Sequence, residues 1–347
     1  MNTASVKDFL KQLEDVLAAE ADKVVPEGST TAAVVHQWAH ALAYGTDLFS
    51  SATMSVKKLQ IILSKNGLYK DQASFRRKLR KGITLRPKTE PTFTFIDLFA
   101  GIGGMRLGFQ ANGGNCVFSS EFERNAQDTY LNNHGEKPFG DITEINEKSI
   151  PHHDVLIAGF PCQPFSHAGL KLGVDDIRGT LFHDITRILK EKKPSFALLE
   201  NVKGLISNDR GHTLKVILKT LTNIGYSCNI SKNLIENGSA KEIQHEAKKM
   251  VLKSIDFGVP QNRQRIYIVL WRDGLIEHFE YPKPTGVITR VGDILEEEPD
   301  PKLTISDRLW AGHQRRKIEN KKNGKGFGFG MVSADSTYTK SIQCAGL

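Results

Sequence analysis

Cysteine is scarce in this chain of 347 residues, with four copies and no Cys-x-x-Cys pair. That scarcity gives no indication of a disulfide framework or a zinc cage, so we expect no metal and a reducing compartment. The chain also lacks any run of about 18 apolar residues, so we expect no membrane-spanning helix and no membrane partner. No basic segment followed by an apolar stretch begins the chain, so we expect no secretory signal.

Acidic residues are fewer than basic ones, which gives a net charge of +8 and a pI of about 9.1. The excess is concentrated in two stretches. Residues 65–88 hold nine Lys or Arg and one acid, and residues 315–325 hold six Lys or Arg and one acid. Each cluster is interpretable as a solvated face or as a surface for phosphate contacts, and a polyanionic partner fits the overall charge.

Residues 1–91 are predicted to form a helical N-terminal extension that is basic toward its end. Val6, Leu10, Leu13 and Leu17 recur at helical spacing, and two further apolar stretches follow before Gly67. Two readings stay open for this region. It is either a small DNA-binding module of helix-turn-helix type or a helical appendage that packs on the main domain. Residues 86–91 have the composition of a linker.

Residues 92–275 alternate between apolar strands and helices, which predicts a doubly wound, mostly parallel α/β sheet. Ligands of such sheets bind beyond the carboxyl ends of the strands. The predicted strands are 93–99, 116–120, 154–160, 196–200 and 265–271, and the predicted helices between them are 105–110, 125–133, 181–191 and 213–224. A charged surface helix is expected near residues 237–250, with no function assigned to it.

The segment from Gly159 to Ser166 places Cys162 between two prolines, directly after an apolar strand. Prolines fix φ and restrict the preceding residue, so this loop is stiff and suits a nucleophile. A buried structural cysteine is the alternative. Residues 166–178, rich in glycine and charge, are of a length typical of a loop that closes over a ligand.

Three other features are further candidates for a functional site. A glycine turn, residues 101–104, follows the first strand, and Glu121 ends the next, which is the arrangement expected for an adenosine-containing ligand. NAD, FAD and S-adenosylmethionine all fit it. Glu200 ends a further apolar strand, where a carboxylate is costly unless it is paired or used. Arg263 and Arg265 occupy alternate positions at the start of another strand.

The four segments Asp-Leu-Phe-Ala-Gly-Ile-Gly-Gly, Gly-Phe-Pro-Cys-Gln-Pro-Phe-Ser, Glu-Asn-Val and Gln-x-Arg-x-Arg follow one another in this order. Together they resemble the DNA cytosine-5 methyltransferases, with a layout similar to the bacterial Dcm-like subgroup. The resemblance runs from Phe93 to about Trp271. It implies a Rossmann-like, S-adenosylmethionine-dependent fold that methylates C5 of a cytosine flipped out of double-stranded DNA, in a restriction-modification system or in DNA methylation more generally.

The resemblance also implies residue roles. Cys162 would add to C6 of cytosine, Glu200 would hydrogen-bond or protonate N3, Arg265 would contact O2, and Arg263 would hold the catalytic loop and Glu200. The residues implied for S-adenosylmethionine are Phe99, Gly101, Gly103, Glu121, Phe122, Asp141, Ile142, Pro161 and Leu181. Glu121 would take the ribose, and Phe122, Asp141 and Ile142 would surround adenine.

The sequence departs from the family pattern after residue 275. Residues 276–347 correspond to the start of a target-recognition region, and the family's closing segments are not found. We therefore expect a truncated member, for which a separate C-terminal fragment is a candidate partner and a cognate restriction endonuclease another. The expected location is the bacterial cytoplasm, at the nucleoid. Two alternatives remain: an inactive, truncated DNA-binding or regulatory protein, and an RNA cytosine-5 methyltransferase. A nucleotide-dependent oxidoreductase would leave Cys162, Glu200 and both arginines without a role.

Overall fold

The structure is a computed structural model that describes residues 6–83, 85, 90–161, 181–324 and 331–340. Cys162 and the predicted closing loop 166–178 lie outside the described residues, as does most of the predicted linker. The described residues form two compact units. The first contains the chain up to Met250 together with Ile266–Glu280, and the second contains Val251–Arg265 and the chain from Tyr281 onward.

Four helices open the first unit. The first, third and fourth bury one apolar face, whereas the second is buried on most of its surface. Side chains of Thr30, Ser55 and Asp71 cap the second, third and fourth helices at their N-termini. Phe9 of the first helix meets Phe75 of the fourth edge to face, with ring centroids 5.5 Å apart. The helices are α1 (Val6–Ala21), α2 (Thr31–Tyr44), α3 (Val56–Lys65) and α4 (Gln72–Arg80).

The sheet contains the predicted strands, each within two residues of its expected ends. The predicted strands are β1 (Phe93–Leu98), β2 (Gly114–Ser120), β3 (Val155–Gly159), β4 (Phe196–Val202) and β8 (Gln264–Arg272). The described residues also form four short strands that were not predicted, β5 (Tyr226–Ser227), β6 (Val251–Lys253), β7 (Gln261–Asn262) and β9 (Thr339–Lys340). The main sheet has the order β2-β1-β3-β4-β8-β5. β1 is parallel to β2 and β3, β3 is parallel to β4, and β5 is antiparallel to β8. The predicted fold class is confirmed.

Helices connect these strands because apolar residues recur at helical spacing between them. They are α5 (Gly104–Ala111), α6 (Arg124–His134), α7 (Leu181–Lys192), α8 (His212–Asn223), α9 (Lys232–Asn237) and α10 (Ala240–Ala247). Phe95, Cys116 and Ile157 are buried at the centre of the sheet, with Met105 and Phe109 of α5 packed against them. The expected surface helix near residues 237–250 is α10.

The N-terminal helices pack on the sheet. Phe49, which follows α2, stacks on Phe118 of β2 and lies 4.5 Å from the ring centroid of Phe139. Gln37 of α2 donates to the carbonyl of Val117 at 3.1 Å and receives a hydrogen bond from the amide of Phe49 at 2.7 Å. Of the two readings of this region, the structure shows the packed appendage, and DNA contact by the basic helix α4 stays a prediction.

In the second unit, β7 and β9 form a parallel pair in which Gln261 is opposite Thr339. The helix α11 (Asp307–Lys322) has no buried residue and carries the basic cluster Arg315, Arg316, Lys317, Lys321 and Lys322. Within the part of the chain that is described, no helix has both the length and the apolar character needed to cross a membrane.

Candidate active site

Four neighbouring strands end at one edge of the sheet, and predicted site residues follow each of them. Parallel register pairs Leu98 with both Ser120 and Ala158, and it pairs Gly159 with Glu200. Because parallel strands end at the same edge, the chain places Phe99, Glu121, Pro161 and Glu200 beside one another along it. The sheet topology therefore brings together residues that are up to 101 positions apart in sequence.

The glycine turn after β1 is built on left-handed backbone. Phe99, Gly101 and Gly103 have φ values of 54°, 56° and 87°. A non-glycine residue at positive φ is uncommon and is often found at functional sites, so Phe99 is a strained position. A Cβ at Gly101 would meet nothing within 4 Å, whereas a Cβ at Gly103 would overlap the ring of His134. Gly101 thus borders open space, and Gly103 allows close packing of the turn.

Glu121 fastens the turn to the end of β2. Its Oε2 accepts a hydrogen bond from the amide of Gly101 at 2.7 Å, and its Oε1 accepts one from the amide of Glu123 at 2.7 Å. A carboxylate has about four acceptor positions, so two remain for ligand hydroxyls. Phe122 is 74% exposed, which excludes a core role for this aromatic side chain.

The predicted adenine segment is supported by the loop before α2. The amide of Gly140 donates to Ser29 Oγ at 3.0 Å, and Ser120 Oγ donates to the carbonyl of Gly140 at 2.7 Å. Asp141 is half-buried and accepts from the amide of Thr143 at 2.9 Å, whereas Ile142 is only 2% exposed. The sequence did not predict the role of Ser29, because the residues around it give no sign of a contact with Gly140, which is 111 residues further along the chain.

Glu200 lies at the end of β4, opposite Gly159 of β3. A Cβ at Gly159 would lie 3.5 Å from Glu200 Oε2 and 3.7 Å from Met105 Sδ, which are ordinary van der Waals distances, so the carboxyl group lies directly beside Gly159. Glu200 is half-buried. Its carboxyl group therefore lies opposite Gly159, the residue that precedes Cys162 by three positions.

Asn201 ties the two strand ends together. Its Nδ2 donates to the carbonyl of Phe160 at 3.0 Å, its Oδ1 accepts from the amide of Val202 at 2.8 Å, and its side chain is 2% exposed. The bond fixes the backbone two residues before Cys162. Pro161 is exposed and Leu181 is half-buried at the start of α7. Sequence reasoning quoted Asn201 within Glu-Asn-Val but gave it no role.

A buried charged cluster lies beneath the glycine turn, and it too was missed. Arg106 of α5 pairs with Glu136, and it also donates to the hydroxyl of Tyr130 at 2.8 Å. Although burial opposes it, the guanidinium of Arg106 holds the pKa of Glu136 below its ordinary value. Burial, helped by Arg106, lowers the pKa of His134 to about 3, so this ring is neutral at pH 7. Burial also raises the pKa of Asp97 well above its usual range.

The two predicted arginines belong to the second unit. Arg263 lies between β7 and β8, and its backbone is held by Ser254, whose amide donates to the Arg263 carbonyl at 3.0 Å. Arg265 is the second residue of β8 and is half-buried, and its Nη1 donates to the carbonyl of Gln264 at 2.8 Å. The expected contacts of these arginines with a base and with Glu200 stay predictions.

The edge of the first unit can therefore hold a ligand bearing ribose hydroxyls beside Gly101 and Glu121. It also presents the Glu200 carboxyl group beside Gly159, at the end of β3. A site for a nucleoside-containing ligand beside a carboxyl group would suit a group-transfer reaction.

Proteins of a known family resemble this chain in sequence over most of its length. The sequence profile of the C-5 cytosine-specific DNA methylases matches residues 93–345. The Type II methyltransferase M.NlaX of Neisseria lactamica is 53% identical over 256 residues, which are 72% of this chain and 74% of that protein. The Type II methyltransferase M1.ScrFI of Lactococcus lactis subsp. cremoris is 52% identical over 254 residues, which are 72% of this chain and 60% of that protein.

The chain thus spans about three fifths of the length of M1.ScrFI, and it spans 62% of M.SsoII from Shigella sonnei. Among solved structures, a triple mutant of DNMT2 from Spodoptera frugiperda superposes with a TM-score of 0.51 at 21% identity, over 72% of this chain and 69% of that chain. At this level of identity the likeness concerns the fold, and it agrees with the mostly parallel sheet described above.

Proposed function

The chain belongs to the C-5 cytosine-specific DNA methylase family, and from this membership and the geometry of the site we propose that it methylates C5 of cytosine in double-stranded DNA. The observation that carries the proposal is the position of the Glu200 carboxyl group over Gly159, on the strand that leads into Pro161 and Cys162. A carboxyl group and a cysteine at adjacent strand ends are the pair of groups that this reaction requires.

The residues at the edge fit S-adenosylmethionine, which supplies an electrophilic methyl group when bound. Gly101 borders open space, and Glu121 keeps acceptor positions for ribose hydroxyls while its two hydrogen bonds hold the turn. Phe122 exposes most of its ring and is available to lie against adenine. Asp141 offers a carboxylate to the adenine amino group, and Pro161 and Leu181 flank the segment that contains Cys162.

The chemistry assigned to the chain's own residues has two parts. The Cys162 thiolate adds to C6 of cytosine, which makes C5 nucleophilic toward the methyl group. Loss of the C5 proton to solvent then breaks the C6–S bond and expels the thiolate, which completes the exchange. Glu200 donates a hydrogen bond or a proton to N3 as electrons move toward it. Asn201 holds Phe160, directly after β3, in register with Glu200, because its side chain binds the Phe160 carbonyl.

The target base must leave the duplex stack to reach this edge, which costs a few kcal/mol. We assign base contacts through O2 to Arg265 and support of the catalytic segment to Arg263. Because the relatives named above are bacterial Type II methyltransferases, we propose that this chain acts at the bacterial nucleoid and that a cognate restriction endonuclease accompanies it.

Covalent trapping tests the proposal. The protein is incubated with S-adenosylmethionine and a random-sequence duplex pool that carries 5-fluorocytosine, since fluorine at C5 prevents release of the adduct. We expect a denaturation-resistant protein–DNA adduct in the wild type and none in Cys162→Ala. Glu200→Gln, which keeps the shape of the side chain, should slow adduct formation by about 10²- to 10⁴-fold. An adduct that persists in Cys162→Ala would refute the assignment of the nucleophile.

The same assay decides between DNA and the alternatives. A duplex RNA pool of matched sequence that is trapped faster than DNA would make RNA the substrate. A chain that shifts DNA in a gel but forms no adduct with any pool would be a binding protein without catalysis.

A further inference from the structure

A basic cleft adjoins the carboxyl end of β4 in the first unit. One wall is the segment that follows Glu200 and Asn201, and the other is α10 with the residue after it. The lining residues are Lys203, Gly204, Ile206, Ser207, Lys241, Gln244, His245 and Lys248. No acidic side chain is among them. The helix α10 has no role in the methyl-transfer site described above.

The charges of α10 are sorted by face. Lys241, His245 and Lys248 are spaced at i, i+4 and i+7, so all three are on the side that lines the cleft. The acids of the helix are engaged elsewhere. Glu242 Oε2 accepts from the amide of Ser239 in a capping box, and Glu246 pairs with Lys249 at 2.6 Å. Among the described residues, Lys241 and Lys248 have no carboxylate within 4.0 Å. The field in the cleft is therefore positive.

The cleft is held in a fixed shape. Gln244 Nε2 donates to the carbonyl of Ile206 at 2.8 Å, which joins the two walls. Ile243 and Ala247 are fully buried beneath the helix. Gly211, at φ +92°, allows Gln244 to approach, since a Cβ there would lie 2.7 Å from Gln244 Cγ. The lysines are exposed at the rim of this fixed frame, so they can bind a ligand without rearrangement of the fold.

The cleft begins three residues after the proposed catalytic acid. A chain of three residues spans at most about 11 Å, so the Lys203 backbone is within that distance of Glu200. A cytosine that reaches Glu200 brings its own strand with it, and duplex DNA carries one negative charge per about 1.7 Å of helix axis. Phosphates beside the flipped nucleotide would therefore come close to the cleft.

We propose that this cleft binds the phosphodiester backbone of the DNA strand that carries the target cytosine, with Lys241 and Lys248 as phosphate contacts. The proposal rests on the function proposed above. Ammonium groups neutralise phosphates without reading sequence, so the cleft contributes affinity and registers the strand on the enzyme, and it does not select the recognition site.

The test uses the salt dependence of binding. Fluorescence anisotropy measures the affinity of the full chain for a labelled duplex between 50 and 200 mM KCl, in wild type and in the double variant K241Q/K248Q. Each phosphate contact contributes about −0.9 to the slope of log K against log salt. If both lysines bind phosphate, the wild type should lose about 12-fold more affinity than the variant over this range. The affinity for S-adenosylmethionine, measured by calorimetry, should be the same in both proteins.

The matched control is K219Q/K249Q, which removes the same net charge from lysines that pair with Glu236 and Glu246 outside the cleft. This control should keep the wild-type salt slope. Equal slopes in K241Q/K248Q and wild type, or an equal loss in both double variants, would overturn the proposal, as would a wild type that binds no DNA. If the wild type forms the covalent adduct but K241Q/K248Q has the wild-type salt slope, only the proposal for the cleft is refuted. A shifted slope without an adduct refutes the catalytic proposal alone.

Discussion

Two glycines of one turn should respond differently to the same substitution. Gly103 has φ +87°, and a Cβ there would overlap His134, which is 2% exposed and packs against Tyr130. Left-handed backbone costs a residue with a Cβ about 1–2 kcal/mol, and overpacking a buried site costs about 1–3 kcal/mol more. Gly103→Ala should therefore lower the free energy of unfolding by about 2–5 kcal/mol. Gly101→Ala, at φ +56° with open space around it, should cost only about 1–2 kcal/mol.

The affinity for S-adenosylmethionine should change in the opposite order, with the larger loss in Gly101→Ala. The methyl group of Gly101→Ala would enter the space that we assign to the cofactor, so its affinity should fall at least tenfold although the protein stays folded. Urea unfolding followed by tryptophan fluorescence gives the stability, and calorimetric titration gives the affinity. If Gly103→Ala unfolds with the wild-type free energy, or if Gly101→Ala binds the cofactor as tightly as the wild type, the described turn is wrong.

Three further predictions concern contacts outside the turn. Asn201→Ala removes the donor to the Phe160 carbonyl and should lower the single-turnover methylation rate by about 10- to 100-fold, because small misplacements of reacting groups slow a reaction strongly. Calorimetry should show an unchanged affinity for S-adenosylmethionine. A variant with the wild-type rate would contradict the positioning role. Ser29→Ala removes the hydrogen bond to Gly140, worth about 1 kcal/mol, so the affinity for S-adenosylmethionine should fall by up to about fivefold; Ser51→Ala, at an exposed position, is the control. Burial lowers the pKa of His153 to about 4, below its unfolded value of about 6.5, so protonation favours the unfolded chain and stability is lost as the pH falls through this window. Between pH 7.5 and 5.0 the free energy of unfolding in urea should fall by about 2 kcal/mol more in the wild type than in His153→Asn. Equal losses in the two proteins would contradict the buried neutral ring.

The sheet could be predicted from the sequence because its signals are local. Apolar runs such as residues 155–158 are flanked by polar or turn residues, and the helices between them repeat apolar residues at helical spacing. Both patterns act over fewer than twenty residues. The predicted strands and helices consequently agree with the structure to within two residues at their ends, and the parallel order follows from the alternation of the two.

The site could be predicted only where residue type alone indicates chemistry. Glu121 and Glu200 are carboxylates at strand ends, and the structure places both at the expected edge. The cluster of Arg106, Glu136 and His134 was not predicted, because its members come from separate elements and each looks like an ordinary surface residue in its own helix or loop. Only the packing of α5 on α6 shows that they share one buried space.

Gly140 illustrates why the remaining contacts could not be read from the sequence. Its backbone has no positive φ, so no turn requires a glycine there. The requirement comes from Gly28, whose carbonyl carbon would lie 2.6 Å from a Cβ at 140. A segment before α2 therefore dictates the residue type beside the proposed adenine contact, across more than a hundred positions. If the loop before α2 shapes the proposed cofactor pocket in this way, the N-terminal region contributes to the site, although residues 1–92 lie outside the family match. A substitution in the loop before α2 should then change the affinity for S-adenosylmethionine more than it changes the affinity for DNA.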